Sequence, residues 1–303
     1  MIKPPYLKQG DTVAIVAPSG IVKDHSTIDK AIVLLDSWGL KAIVGKHIFD
    51  NGFHFASSDT NRLADLQTAL DNTEVKAIWC ARGGYGTVRI IDQLDFTAFK
   101  ENPKWVIGYS DITVLHNHIN NQGITSIHGM MPVNLSNPME QIQPSVDSLK
   151  IALFGEELSY EFQGSQYNKL GTVSGQLVGG NLTLLENSLG TASAIDTTDK
   201  ILFIEEIGEY KYHIDRMLWA LKRNGYFENC KGVLIGDMSN IPQNDPNFGQ
   251  EIEEIILNIV KGYNIPIAFN FPAGHGDVNQ AICLGSKVEL IINSETSTLN
   301  FKN

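Results

Sequence analysis

Residues 12–44 read TVAIVAPSGIVKDHSTIDKAIVLLDSWGLKAIV, and the change of hydrophobic period inside that stretch decides the fold. Thr12 to Ala17 is a short β-rich apolar run, as a strand buried on both faces is expected to be. Ser26 to Trp38 is amphipathic at helical spacing, and Lys41 to Val44 is β-rich again. The rhythm is βαβ. Working outward, it continues through a helix over Asp59 to Asp71, a strand over Val75 to Cys80 and a helix after Gly86. A strand over Trp105 to Ile107, a helix from Asp111 to about Asn120 and a short strand around Ile124 to Ile127 complete the first half. Strands alternating with helices at this spacing predict a parallel sheet covered on both faces, with ligands beyond the C-terminal strand ends.

After Pro132 the pattern loosens into Asn134, Ser136, Asn137, Pro138 and Pro144, followed by a helix near Val146 to Phe154 and a polar stretch from Gly164 to Lys169. A domain boundary is expected between residues 135 and 165, with one domain over 1–150 and a second over 165–303. β-rich runs at Thr172 to Val178, Ile201 to Ile204, Gly232 to Ile235, Ile267 to Phe269 and Lys287 to Ile292 alternate with helical patterns at Leu182 to Leu189, Tyr212 to Arg223 and Ile252 to Val260. The second domain is therefore expected to be mixed α/β.

Bulk properties exclude several functions. Acidic residues outnumber basic ones, 34 to 23, and the formal charge of -11 repels a phosphate backbone, so nucleic acid is not an expected partner. The apolar run Val13 to Ala17 is too short for a signal-peptide core or a membrane span, which predicts a cytoplasmic protein without a membrane partner. Cys80, Cys230 and Cys283 are widely separated and form no CxxC pair; buried free thiols are expected rather than disulfides. His116 and His118 are the two histidines closest together, and their two-residue spacing does not suit helical metal ligands, so no metal site and no cofactor are expected.

Four segments carry residues capable of chemistry. In Trp105-Val-Ile-Gly-Tyr-Ser110-Asp111 an apolar strand runs into a helix, so Ser110 sits at the positive end of a helix where free N–H groups can stabilise an oxyanion. A serine at such a corner is more often a simple cap. Cys80-Ala-Arg82-Gly83-Gly84-Tyr85-Gly86 follows another strand, and its glycines leave backbone donors free for a ligand, although neither phosphate-loop pattern is present. Ile201-Leu-Phe-Ile-Glu205-Glu206 ends a strand in two carboxylates that face opposite ways. Phe271-Pro-Ala-Gly-His275-Gly-Asp277 brackets a histidine with glycines, as suits a base exposed in a cleft. Each segment alone is weaker than its structural explanation. Together they supply a nucleophile, oxyanion donors, an orienting carboxylate and a base, the requirements of acyl transfer.

The same residues carry a resemblance. GDTVAIVAPSG near the start, ARGGYG, IGYSD, GGNLTLL at 179–185, LFIEEIGE followed by IDRML, GVLIGD and PAGHGD resemble, in order, the LD-carboxypeptidase family of serine peptidases. The resemblance implies a flavodoxin-like N-terminal domain with a parallel sheet, a smaller mixed α/β C-terminal domain, an active site between them and a homodimer. It implies Ser110 as nucleophile, Glu205 as orienting acid and His275 as base, with the N–H groups of Gly84 and Asp111 as oxyanion hole. Arg82, Gly83, Tyr85, Gly180 and Asn181 are expected to contact substrate, Arg82 through the terminal carboxylate. The implied reaction releases terminal D-alanine from a muropeptide tetrapeptide during peptidoglycan recycling. Microcin-immunity peptidases of the same family are the alternative; a non-catalytic peptide-binding module on this fold and a nucleotide- or flavin-binding protein are alternatives of other classes.

Overall fold

A computed structural model describes residues 1–302. The first half runs β1 (Thr12–Val16), α1 (Ser26–Ser37), β2 (Lys41–Val44), α2 (Asp59–Asp71), β3 (Val75–Cys80), α3 (Thr97–Glu101), β4 (Trp105–Gly108), α4 (Thr113–Asn121), β5 (Ser126–His128) and α5 (Met139–Phe154). The second half follows as β6 (Ser159–Gln163), β7 (Gly171–Asn181), α6 (Leu182–Asn187), β8 (Lys200–Ile207), α7 (Lys211–Arg223), β9 (Gly232–Ser239), α8 (Ile252–Ile259), β10 (Ile267–Ala268), β11 (Ile282–Leu284), β12 (Lys287–Ile292) and β13 (Thr296–Phe301).

Two sheets organise these elements. In the first, the order β11-β5-β4-β3-β1-β2 contains five parallel strands in flavodoxin-like sequence, with β11 added antiparallel to β5. The second has the order β10-β9-β8-β7-β12-β13-β6, parallel from β10 to β7 and antiparallel beyond. Alternation of side chains explains why both sheets are covered on two faces. Val13, Ile15, Trp79 and Ile107 enter one core while Ala14, Val16, Ile78, Cys80 and Val106 enter another. In the second sheet Val178, Leu202, Ile204 and Val233 face one core, and Leu177, Ile201, Phe203 and Leu234 the other.

β11 joins the halves. Ala281 and Cys283 pack into the first sheet's core, whereas Ile282 and Leu284 pack with Phe203 and Phe271 of the second. Full burial of Ile282 and Leu284 contributes roughly 1.5–3 kcal/mol each, spent on holding one sheet against the other. α4 adds a second junction: Thr113 Oγ1 accepts from the Asn181 N–H at 3.0 Å. A Cβ at Gly180, whose φ is +141°, would lie 2.6 Å from that oxygen, so glycine permits the approach.

Three departures from the sequence reading have local causes. Instead of a helix directly after Gly86, two 3-10 turns, Thr87–Arg89 and Ile91–Gln93, precede the short α3; the Thr87 N–H is held by the Asp111 carboxylate at 2.8 Å. The helix expected from Asp111 starts at Thr113, because Ser110–Ile112 forms a 3-10 turn. The stretch 135–165 is not loose: α5 begins at Met139, carries Pro144 within it and sends Ile142, Val146 and Leu149 into the first core. The chain then crosses to the second sheet between Phe154 and Ser159. The three cysteines are free and buried, and no helix among the described residues is long and apolar enough to cross a membrane.

Candidate active site

The turn after β4 brings the backbone into an uncommon conformation. Tyr109 is extended, and Ser110 then adopts φ +63°, a left-handed value that costs a non-glycine residue of order 1–3 kcal/mol and persists only where surrounding structure enforces it. The enforcing contacts are close. A Cβ at Gly83 would lie 2.8 Å from Ser110 Cβ and 3.3 Å from the Asp111 nitrogen, so the loop after β3 lies directly over the serine and position 83 must be glycine. Beneath the turn, His116 Nε2 is 2.9 Å from the Gly108 oxygen, a contact in which the ring must donate because a carbonyl can only accept. The Asp111 side chain points inward, accepting from Ser19 Oγ at 2.6 Å and from the Thr87 N–H. It thereby ties the loops after β1 and β3 to the serine turn.

Glu205 and His275 meet across the second sheet's edge. His275 Nδ1 lies 2.7 Å from Glu205 Oε2, and since a carboxylate can only accept, the ring donates there and leaves Nε2 as its free acceptor. Glu205 is completely buried, and its Oε1 has no hydrogen-bond partner among the described residues. Burial alone would push the His275 ring down; the Glu205 hydrogen bond and charge, with Glu206 and Asp237 behind them, outweigh burial and hold the ring above the ordinary imidazole range. The Tyr109 ring packs edge-on against His275 at a centroid distance of 4.9 Å, which brings the histidine beside the residue preceding Ser110. No hydrogen bond joins Ser110 Oγ to the imidazole among the described residues. Such hydrogen bonds are often long or unmade in an enzyme without its substrate. A buried carboxylate, an oriented imidazole and a hydroxyl on a strained turn are the parts from which a nucleophile and its base are assembled.

Glu206 does different work. It accepts from the Thr183 N–H at 2.8 Å, Thr183 Oγ1 at 2.7 Å, Asn181 Nδ2 at 3.1 Å and the Ile207 N–H at 2.8 Å. These bonds fasten the start of α6, for which Asn181 is also the N-cap. Gly180 and Asn181, expected near substrate, thus have their contacts inside the protein. Arg82 Nη1 donates to the Ile21 oxygen at 2.7 Å. Gly84, at φ +102°, lies against Gly20, and Tyr85 is 45% exposed, the most accessible of the expected substrate contacts. Asp237 drew no role from the sequence. Its segment ends a strand in a carboxylate as Ile201 to Glu205 does, and that parallel was the available signal. No group of three or more His, Cys, Asp or Glu side chains among the described residues is placed to hold a metal ion.

Comparison with known proteins identifies the family. Residues 13–129 match the LD-carboxypeptidase N-terminal domain and residues 174–290 the LD-carboxypeptidase C-terminal domain. The chain belongs to the LD-carboxypeptidase family. Among relatives, it is 36% identical to a probable murein peptide carboxypeptidase of Bacillus subtilis, over 98% of this chain and 94% of that one. With a murein tetrapeptide carboxypeptidase of Pseudomonas aeruginosa it shares 29% identity, over 89% of each chain. The crystal structure of muramoyltetrapeptide carboxypeptidase from Oxalobacter formigenes superposes with a TM-score of 0.88 at 27% identity, covering 96% of this chain and 99% of that one. The LD-carboxypeptidase fold is thus present along essentially the whole chain.

Proposed function

We propose that this protein is a serine LD-carboxypeptidase that hydrolyses the L,D amide bond of muropeptide tetrapeptides and releases terminal D-alanine. The observation that carries the reading is the hydrogen bond from His275 to the buried Glu205, set beside a serine in a left-handed turn, in a chain whose relatives are named murein peptide carboxypeptidases. In the proposed cycle His275 Nε2 takes the Ser110 proton as Oγ attacks the scissile carbonyl, and Glu205 stabilises the imidazolium. The Gly84 and Asp111 N–H groups donate to the developing oxyanion. The tetrahedral intermediate collapses as His275 returns the proton to the departing D-alanine nitrogen, and water then hydrolyses the acyl-enzyme by the same route in reverse. Free thiols at all three cysteines support a reducing compartment, hence a cytoplasmic role in peptidoglycan recycling; a homodimer completes the reading.

The test is direct. Purified protein and a Ser110→Ala variant are incubated with a tetrapeptide ending in D-alanine and, as a control, with the same peptide ending in L-alanine. D-alanine release by the parent alone, with the L-terminal peptide intact, is expected. Release by both proteins at equal rate would remove Ser110 as nucleophile, and no release by either, with cleavage of an aminoacyl sulfamoyl-adenosine instead, would move the substrate to the microcin-immunity class.

A further inference from the structure

His275 stands in a loop whose two ends are held by a single residue of β9. The Asp237 N–H donates to the Ala273 oxygen at 2.9 Å, and Asp237 Oδ2 accepts from the Gly276 N–H at 2.8 Å. Strand register explains how one residue reaches both. β8 and β9 pair Ile204 with Ile235 and then Glu206 with Met238, so Gly236 and Asp237 together stand opposite Glu205 alone. This is a β-bulge, a device that re-aims a side chain at a sheet edge. It falls at the carboxylate that holds the imidazole.

The loop closes so tightly on this bulge that only glycine fits around it. A Cβ at Gly236 would lie 2.3 Å from the Ala273 oxygen, one at Gly276 2.8 Å from Asp237 Oδ2, and one at Gly274 3.0 Å from Glu205 Oε2 and 3.1 Å from Asp237 Cβ. Gly274 also has φ +136°. Asn279 gives further support through its Oδ1, which accepts from the Gly274 N–H at 3.1 Å. Glu205 orients the ring; Asp237 holds the backbone that carries it.

We propose that Asp237 is a positioning residue for His275, acting through the backbone of the Ala273–Gly276 loop and as a further negative charge behind the imidazole. The proposal rests on the reading of His275 as general base. The charges that act on that ring are Glu205, in contact with it, and Glu206 on β8 and Asp237 on β9 behind it; Tyr109, after β4, and His128 of β5 stand on the side of the first sheet. His128 is driven well below the ordinary imidazole range by burial and is neutral beside it. The carboxylates therefore set the field at the ring.

Two variants separate the contributions. Asp237→Asn keeps an oxygen that accepts from the Gly276 N–H but removes the charge; Asp237→Ala removes both. D-alanine release is measured across pH, with circular dichroism to establish folding and His275→Ala as reference. Asp237→Asn is expected to keep kcat within about threefold and to move the acid limb of kcat/KM to lower pH, since a ring with one fewer negative neighbour loses its proton more readily. Asp237→Ala is expected to show the same movement with kcat lowered about 10²-fold, the scale of a misplaced catalytic group. Wild-type kcat and an unmoved limb in both variants would overturn the proposal. Equal, complete loss in two folded variants would overturn it as well, by making Asp237 part of the chemistry. Should Asp237→Ala not fold, the Asp237→Asn pH limb decides alone. An active parent whose His275→Ala variant is equally active defeats the reading of His275 instead, whatever the Asp237 variants do.

Discussion

Glu205 and Glu206 are neighbours in the chain, both buried, yet they differ in what surrounds them. Four donors satisfy Glu206, and it anchors α6. Among the described residues Glu205 has one side-chain partner, His275, and an oxygen with none. A buried polar group left incompletely paired costs free energy that a purely structural residue has no reason to bear. Strand alternation sends one carboxylate into a closed network and the other to the edge where the two sheets face each other. Satisfaction of hydrogen bonds, more than burial or charge, distinguishes the two carboxylates, and it is the contrast on which the proposed role of Glu205 rests.

The sharpest way to break this contrast is to remove the partner of only one of them. His275→Ala is expected to lower kcat by about 10⁴-fold, as loss of the base does in serine hydrolases, measured as D-alanine release. Next in size, Gly83→Ala places a Cβ 2.8 Å from Ser110 Cβ and is expected to cost about 10²-fold in kcat by displacing the serine turn; its melting temperature shows whether the loss is local. Glu206→Ala leaves the Thr183 and Asn181 donors unpaired and is expected to destabilise the fold by about 2–3 kcal/mol, read from urea unfolding.

A smaller effect sharpens the same contrast through pH. Burial raises the Glu206 carboxyl above its ordinary range, against the Thr183 and Ile207 hydrogen bonds that lower it. The unfolded chain therefore releases this proton first, and stability from this group is lost as pH rises from the ordinary carboxylate range to the raised value. Wild type is expected to lose stability relative to Glu206→Gln across that window in unfolding curves. For His275, the proposed base, the direction concerns activity: a base must be neutral, so a ring held above the ordinary imidazole range is expected to place the acid limb of kcat/KM above that range, and Glu205→Gln should lower it.

Much of this was legible in the residues. The bounds of β2, α2, β3 and β12 coincide with their hydrophobic runs, because continuous apolar strands and amphipathic helices are set by local period. The strands β6, β11 and β13 were not read from the sequence. β6 and β13 lie at the far edge of the second sheet with polar residues alternating, and β11 has three residues, too few to show a period. Its place in the first sheet depends on β5, more than 150 positions earlier in the chain. The site shows the same limit. Ser110, Glu205 and His275 were recognisable as residue types in motifs, but the bulge opposite Glu205 is a property of register between two strands, and so Asp237 remained unassigned.

The most direct measurement is D-alanine release from a muropeptide tetrapeptide by Glu205→Gln and Glu206→Gln side by side, each normalised to folded protein. The triad assignment predicts that Glu205→Gln loses turnover by several orders of magnitude while folding normally, and that Glu206→Gln turns over near the parental rate with a changed melting temperature. Parental turnover by Glu205→Gln, or loss confined to Glu206→Gln, would contradict it.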